Sequence, residues 1–194
     1  MLGRPRCALC GAPTAWDVDR CRECSGRRLS FARARAAVAY DGPVRPLVRA
    51  WKERGLRPVA TLAAELVAAH VEPSTADVIT SIPADPIRQL SRGHHPAGRL
   101  AQELGARWGL ETAALLRRTG SVRRQAGLPL AERRRNVRDA FAAADATLTG
   151  RVLLVDDVYT TGATVDAAAR VLRAAGASRV EVVTFARAIR APRS

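Results

Sequence analysis

Arg151-Val-Leu-Leu-Val-Asp-Asp-Val-Tyr-Thr-Thr-Gly-Ala-Thr164 runs four apolar residues, Val152 to Val155, straight into two carboxylates, Asp156 and Asp157. An unbroken apolar run of that length predicts a strand buried on both faces, with the acids standing where the strand ends. The small polar run Thr160-Thr161-Gly162-Ala163-Thr164 then leads into an alanine-rich helix. In an open α/β sheet, ligands bind outside the carboxyl ends of the strands. Two acids at that place serve hydroxyls or a metal, and the free N–H groups of a helix start serve a phosphate. A sugar phosphate needs both at once.

The sequence on either side supplies the rest of such a sheet. Ala34 to Tyr40 alternates like a strand, and Asp41-Gly-Pro43 is a turn. Val44 to Arg54 is amphipathic: Val44, Leu47, Val48 and Trp51 share one face, and Arg45, Arg49 and Lys52 lie on another. Gly55 ends that helix, and the helix could pack on the core or on a second subunit. Pro58 to Val71 reads as a second helix, Asp77 to Ile82 as a strand, 97–108 as a helix and Ala113 to Leu116 as a short strand. Thr164 to Ala175 is a helix closed by Gly176, and Arg179 to Phe185 is the last strand. Strands alternating with helices predict an α/β fold with a mainly parallel sheet flanked by helices. Pro83-Ala84-Asp85-Pro86, just after the 77–82 strand, is a second backbone loop at a strand's carboxyl end, another candidate anion site.

The 194 residues suit one such domain plus a small appendage, and 47% hydrophobic content supports a core. No apolar run approaches the roughly 18 residues needed to span a bilayer. Met1 to Arg6 lacks the apolar stretch of a signal peptide, so a cytoplasmic location is expected. The formal net charge of +14 points to polyanions as partners: phosphates, nucleic acid or an acidic protein. Lys52 is the only lysine, so nearly all of that charge is arginine. It is concentrated in 117–138, where eight arginines, among them Arg118, Arg123, Arg124 and Arg133, face one acid, Glu132. Gly120, Gly127 and Pro129 interrupt that run, which favours a mobile, phosphate-facing segment over a solvated helix face.

All four cysteines lie in the first 24 residues, as Cys7-Ala-Leu-Cys10 and Cys21-Arg-Glu-Cys24. Two C-x-x-C knuckles at this separation suit one tetrahedral Zn²⁺. Gly11 permits the tight turn such a knuckle needs, and nearby arginines favour thiolates. A reducing cytoplasm argues against two disulfides. A thioredoxin-like redox pair would need a strand–helix context that neither motif has. With four protein ligands the site would be closed and structural, and metal binding would supply the folding energy of a segment with little core. The domain reading is therefore a zinc ribbon over 1–30 and an α/β domain over 31–194.

The 151–164 segment resembles the phosphoribosyl pyrophosphate (PRPP) motif of type I phosphoribosyltransferases. That resemblance implies that Asp156 and Asp157 hold the ribose hydroxyls and that Thr160, Thr161, Gly162, Ala163 and Thr164 wrap the 5′-phosphate. Further matches narrow it to the ComF family: Tyr40, Gly42, Arg45 and Lys52; then Ile82-Pro83, Arg88 and Arg92-Gly93; then Gln125, Leu128, Arg133, Asn136, Val137, Ala140 and Phe141. Where that family usually carries Phe-Asn-Gln after Arg-Gly, this chain has His94-His95-Pro96. Pro96 suits a helix start. The histidines are expected to be solvated loop residues, the alternative being hydrogen bonds to a base, and the departure bears on the acceptor more than on PRPP.

Two functional expectations follow from the resemblance. The first is a PRPP-dependent transferase using Mg²⁺. Asp156 and Asp157 would hold ribose and metal, Pro83, Ala84, Arg88 and Arg92 would receive the pyrophosphate, and the basic segment with Arg118, Arg123, Arg124, Gln125 and Arg133 would close over it. The second is a non-enzymatic adaptor in DNA uptake, acting on single-stranded DNA beside a helicase-like competence protein, with a regulatory or vestigial PRPP site. Aromatic residues are scarce, at 4%, so DNA affinity would be mostly electrostatic.

Overall fold

A computed structural model describes residues 5–86, 89–90, 93–119, 140–144 and 148–189. Its elements, in chain order, are β1 (Arg33–Ala39), α1 (Val44–Arg54), α2 (Arg57–His70), β2 (Val78–Ser81) and α3 (Pro96–Trp108). After these come β3 (Glu111–Thr112), β4 (Leu116–Arg118), β5 (Phe141–Ala143), β6 (Arg151–Tyr159), α4 (Ala163–Ala174) and β7 (Arg179–Arg187). Five strands form one sheet in the order β1-β7-β6-β2-β3, all parallel; β4 and β5 form a separate antiparallel pair.

The apolar run of β6 is buried on both faces because its residues alternate between two cores. Leu153 and Val155 join Val183 and Phe185 of β7 beneath α1, α2 and α3. Val152 and Leu154 join Val180 and Val182 beneath α4 and the β4–β5 pair. The amphipathic face of α1 is turned to the first core: Val48 and Trp51 are buried, and the Trp51 ring meets Phe185 edge-on at 6.3 Å. Helix α1 stops at Gly55, whose φ of 64° carries its N–H back to the Trp51 carbonyl.

One short strand differs from the sequence reading. Residues Ala113 to Leu115 are not a strand; the chain pairs at Glu111–Thr112, leaves the sheet, and pairs again at Leu116–Arg118. The apolar residues there bridge between layers. Ala113 N–H still bonds the Ile79 carbonyl at 3.0 Å, and Leu115 N–H bonds Thr80 Oγ1 at 3.3 Å. Among the described residues no helix is long and apolar enough to cross a membrane.

Candidate functional site

Strands β2 and β6 are neighbours, yet the helices that follow them, α3 and α4, lie on opposite faces of the sheet. A crevice must therefore open between their carboxyl ends, as in any doubly wound sheet where the winding reverses. Asp156 and Asp157 stand in it. They are not at the end of their strand: β6 runs on through them to Tyr159, because β7 is equally long and pairs with it as far as Tyr159↔Arg187. On the β2 side pairing stops at Ser81↔Val155, so the acids are free of the sheet on the side that faces the crevice.

The cleft holds about 350 Å³ and is lined by Asp156, Asp157, Thr160, Thr164, Pro83, Ala84, Tyr40, Lys52, His94, His95 and Arg118, among others. Lys52, reaching in from α1, places its ammonium 2.7 Å from Asp157 Oδ1. Asp156 Oδ1 accepts the Asp157 backbone N–H at 2.9 Å. Burial, and next the Asp157 charge, push the Asp156 carboxyl up to about 7; the Asp157 N–H, Lys52 and Arg118 pull the other way. A carboxylate with a fixed cation, beside one that burial makes reluctant to ionise, is a site that accepts further positive charge or hydroxyl donors readily.

Opposite the acids, the loop after β2 is held close to β6 by the Ile82 N–H, which bonds the Val155 carbonyl at 2.9 Å. Arg118 at the end of β4 bonds the Pro83 carbonyl at 3.2 Å, with its guanidinium 5.3 Å from the Phe141 ring centroid. The histidines are not solvated loop residues. His94 Nε2–H reaches the Trp51 and Lys52 carbonyls at 2.9 and 3.0 Å, capping the last turn of α1. His95 Nε2–H bonds the Ile82 carbonyl at 2.8 Å, and burial lowers its pKa. They tie the Lys52 helix and the Pro83 loop to the start of α3. Polar residues between Gly93 and Pro96 read as loop in sequence because the carbonyls they serve are 12 or more residues away. Arg88 and Arg92, and Arg123, Arg124, Gln125 and Arg133 of the basic segment, lie outside the described residues; Arg118 is placed in the cleft.

Thr160 and Thr164 line the same cleft. Between them Gly162 caps α4 with φ of 75°, a left-handed conformation, and a Cβ there would collide with the Tyr159 hydroxyl. Thr161 Oγ1 accepts the Ala163 N–H at 3.3 Å, shaping the turn. The first-turn N–H groups of α4 have no partner within the helix, and the helix start faces the crevice.

At the ribbon the four sulfurs lie within 4.8 Å of one another. Cys7 and Cys24 are 3.6 Å apart, Cys10 and Cys21 3.5 Å, and Cys21 and Cys24 3.9 Å. Zn–S bonds of about 2.3 Å set a tetrahedron with edges of about 3.8 Å, so this donor set fits a zinc ribbon. The separations are far too long for disulfides. Burial opposes ionisation of Cys7, but the Cys10 and Cys21 N–H groups outweigh it and bring it to about 7; burial pushes Cys24 up to about 11. Only a bound cation lets all four become thiolates together. Gly11, with φ of 71°, lets the knuckle press against the Ala34 carbonyl of β1.

Sequence reading passed over three residues that the fold puts to use. Arg187, the last residue of β7, is fully buried and donates to the Cys10 carbonyl at 2.6 Å and to Glu23 at 2.8 Å. Tyr159 stacks against it, and Arg27 of the ribbon reaches the Thr161 carbonyl at 2.9 Å. The available signal was a basic residue closing the mostly apolar run Val182 to Ala186.

The family described as phosphoribosyl transferase domain matches residues 59–193. Competence protein F of Haemophilus influenzae is 29% identical over 197 residues, covering 95% of this chain and 85% of that protein. DNA utilization protein YhgH of Escherichia coli strain K12 is 28% identical over 195 residues, covering 94% and 84%. Among solved structures, the glutamine PRPP amidotransferase of B. subtilis aligns with a TM-score of 0.43 at 24% identity, over 66% of this chain and 25% of that one.

Proposed function

The chain belongs to the phosphoribosyl transferase domain family, and from that premise we propose that it binds PRPP with Mg²⁺ in the cleft above β6. The observation that carries the reading is a convergence. Two acids, a Thr/Gly loop opening α4 and the Pro83 loop from the neighbouring strand meet in one crevice at the point where the sheet's winding reverses. Asp156 and Asp157 take the ribose hydroxyls, residues 160–164 take the 5′-phosphate, and Pro83, Ala84, Arg88 and Arg92 receive the pyrophosphate. Mg²⁺, arriving with the pyrophosphate, supplies charge neutralisation for the leaving group.

For transfer, the bond from the anomeric carbon to pyrophosphate breaks and one to the acceptor forms, with oxocarbenium character between. The acids face that developing positive charge. Arg118, already bonded to the Pro83 carbonyl, stands where negative charge would build. The basic segment that follows it, with Arg123, Arg124, Gln125 and Arg133, closes over the cleft in this reading. The division into a ribbon over 1–30 and a transferase-like domain over 31–194 goes with it. Calorimetric titration of Mg·PRPP into the zinc-loaded protein tests binding. Micromolar affinity is expected, and the Asp156→Asn/Asp157→Asn double variant should lose it; equal affinity in that variant defeats the assignment.

A second reading rests on the charge of +14 and on relatives whose names refer to competence and DNA utilization. Here the protein serves DNA uptake, handling single-stranded DNA beside a helicase-like protein, and PRPP regulates it. Its DNA affinity should fall steeply with salt, since few aromatic platforms are present. Binding that ignores ionic strength contradicts this reading.

A further inference from the structure

The ribbon is a small unit built around the four-cysteine cluster, and the phosphate loop belongs to the large sheet, yet they are joined at three places. Arg27 Nη1 donates to the Thr161 carbonyl at 2.9 Å. The Ser30 N–H donates to Asp166 Oδ1, in the first turn of α4, at 2.7 Å. Just past the ribbon, Phe31 meets the Tyr159 ring edge-on at 6.5 Å. Arg187 makes the third: its guanidinium lies 4.4 Å from the centre of the Tyr159 ring while bonding the Cys10 carbonyl and Glu23, with Cys10 Sγ at 3.7 Å. Tyr159 in turn fills the space under Gly162, whose left-handed backbone shapes the loop.

These contacts bear on both ends of 159–166 and on its floor. We infer that the ribbon is a working part of the 5′-phosphate site: Arg27 and Arg187 are positioning residues that hold the Thr160–Thr164 loop in its binding shape, and they do so only while the cysteine cluster is metal-filled. The physical reason lies in charge. A zinc ion with four thiolates is a net anion, and Arg187, nine-tenths buried and more, is the cation whose guanidinium touches that cluster. When the cluster empties, the backbone carrying Cys10 and Glu23 loses the ion that fixed it, and Arg187 loses the fixed placing of the two partners it bonds there. The Tyr159 ring, and the loop resting on it, then lose their backing.

The inference rests on the PRPP reading for its ligand, and its test separates the two. Zinc-loaded wild type, Arg27→Gln and Arg187→Met are titrated with ribose 5-phosphate and, separately, with inorganic pyrophosphate. Amide exchange across 159–166 is followed by mass spectrometry, and bound zinc is counted. In Arg27→Gln we expect ribose 5-phosphate to bind about tenfold more weakly, one charge-assisted hydrogen bond having been lost. Pyrophosphate affinity should hold within about twofold, zinc should stay bound, and exchange across the loop should quicken. General damage to the fold would weaken both ligands alike, so selective loss is the signature of positioning. Arg187→Met should act in the same direction more strongly; Arg187 is buried, so the surface variant Arg27→Gln carries the decision if Arg187→Met does not fold. Loop exchange unchanged in Arg27→Gln overturns the inference. Wild type that binds neither ribose 5-phosphate nor PRPP overturns the reading of the site, and loop exchange still decides the coupling.

Discussion

Replacing Asp156 by Asn should stabilise this protein, and increasingly so as pH rises. The carboxyl is pushed from its usual value of 3.8 up to about 7, by burial first and by Asp157 second. A carboxyl raised in the folded state favours folding fully below its unfolded value. That favour is lost as pH climbs through the folded value, because the unfolded chain ionises freely while the native cleft resists. Between pH 5 and 7 the native group lags by two pH units, at about 1.4 kcal/mol each, so wild type forgoes about 2–3 kcal/mol over that interval and little more above it. Asn titrates in neither state. Its advantage over wild type should therefore grow by about 2–3 kcal/mol from pH 5 to pH 8, a gain in Tm of roughly 4–12 °C for a domain of this size. Thermal melts of both proteins at the two pH values provide the assay. An advantage that is the same at pH 5 and pH 8 would refute the electrostatic argument. The same variant should lose PRPP affinity, the exchange of stability for function expected where a charge is kept in a half-buried cleft.

Three other outcomes are expected. Lys52→Met removes the ion pair on Asp157 and one of the charges restraining Asp156, so the pH range over which stability falls should move upward by a measurable fraction of a unit in the same melts. Gly162→Ala forces a side chain into a left-handed backbone and onto the Tyr159 hydroxyl; denaturant titration should register a loss of about 2–4 kcal/mol, and a loss below about 0.5 kcal/mol would mean the turn is not shaped as described. Cys24→Ala should release the metal, measured as zinc per chain, and lower Tm, since its sulfur closes the cluster from the buried side.

The sequence was most legible where one residue pattern has one physical solution. Val152 to Val155 had to be buried on both faces, and two C-x-x-C knuckles had to converge. The position of the acids was harder. Nothing in Asp156 and Asp157 says that β7 will outlast β2 and hold them inside a strand on one side only; strand length is settled by the partner, not by the residues themselves. His94 and His95 looked solvated because their carbonyl partners, Trp51, Lys52 and Ile82, come from other elements. Ala113 to Leu116 looked like a strand because apolar residues that bridge two layers have the same composition as those that pair. Arg187 and Tyr159 escaped notice for a related reason. Their meaning lies in a contact between opposite ends of the chain.

The sheet order has a bearing on how the protein is made. Among the described residues β1 is an edge strand that pairs with β7 alone, and roughly 140 residues separate them. On a ribosome adding about 5–20 residues each second, β1 waits roughly 10–30 s after its own emergence for a partner. During that interval its unpaired edge is available to any other strand. With zinc bound, the knuckles just ahead of it would need no such wait, since they would close on the ion and on each other. A nascent chain that captures zinc early carries a folded plug hydrogen-bonded to the start of β1 through the Ala34 N–H and Leu9 carbonyl, 2.8 Å apart. Metal supply during translation would then govern how much newly made protein escapes aggregation, well before any ligand reaches the cleft.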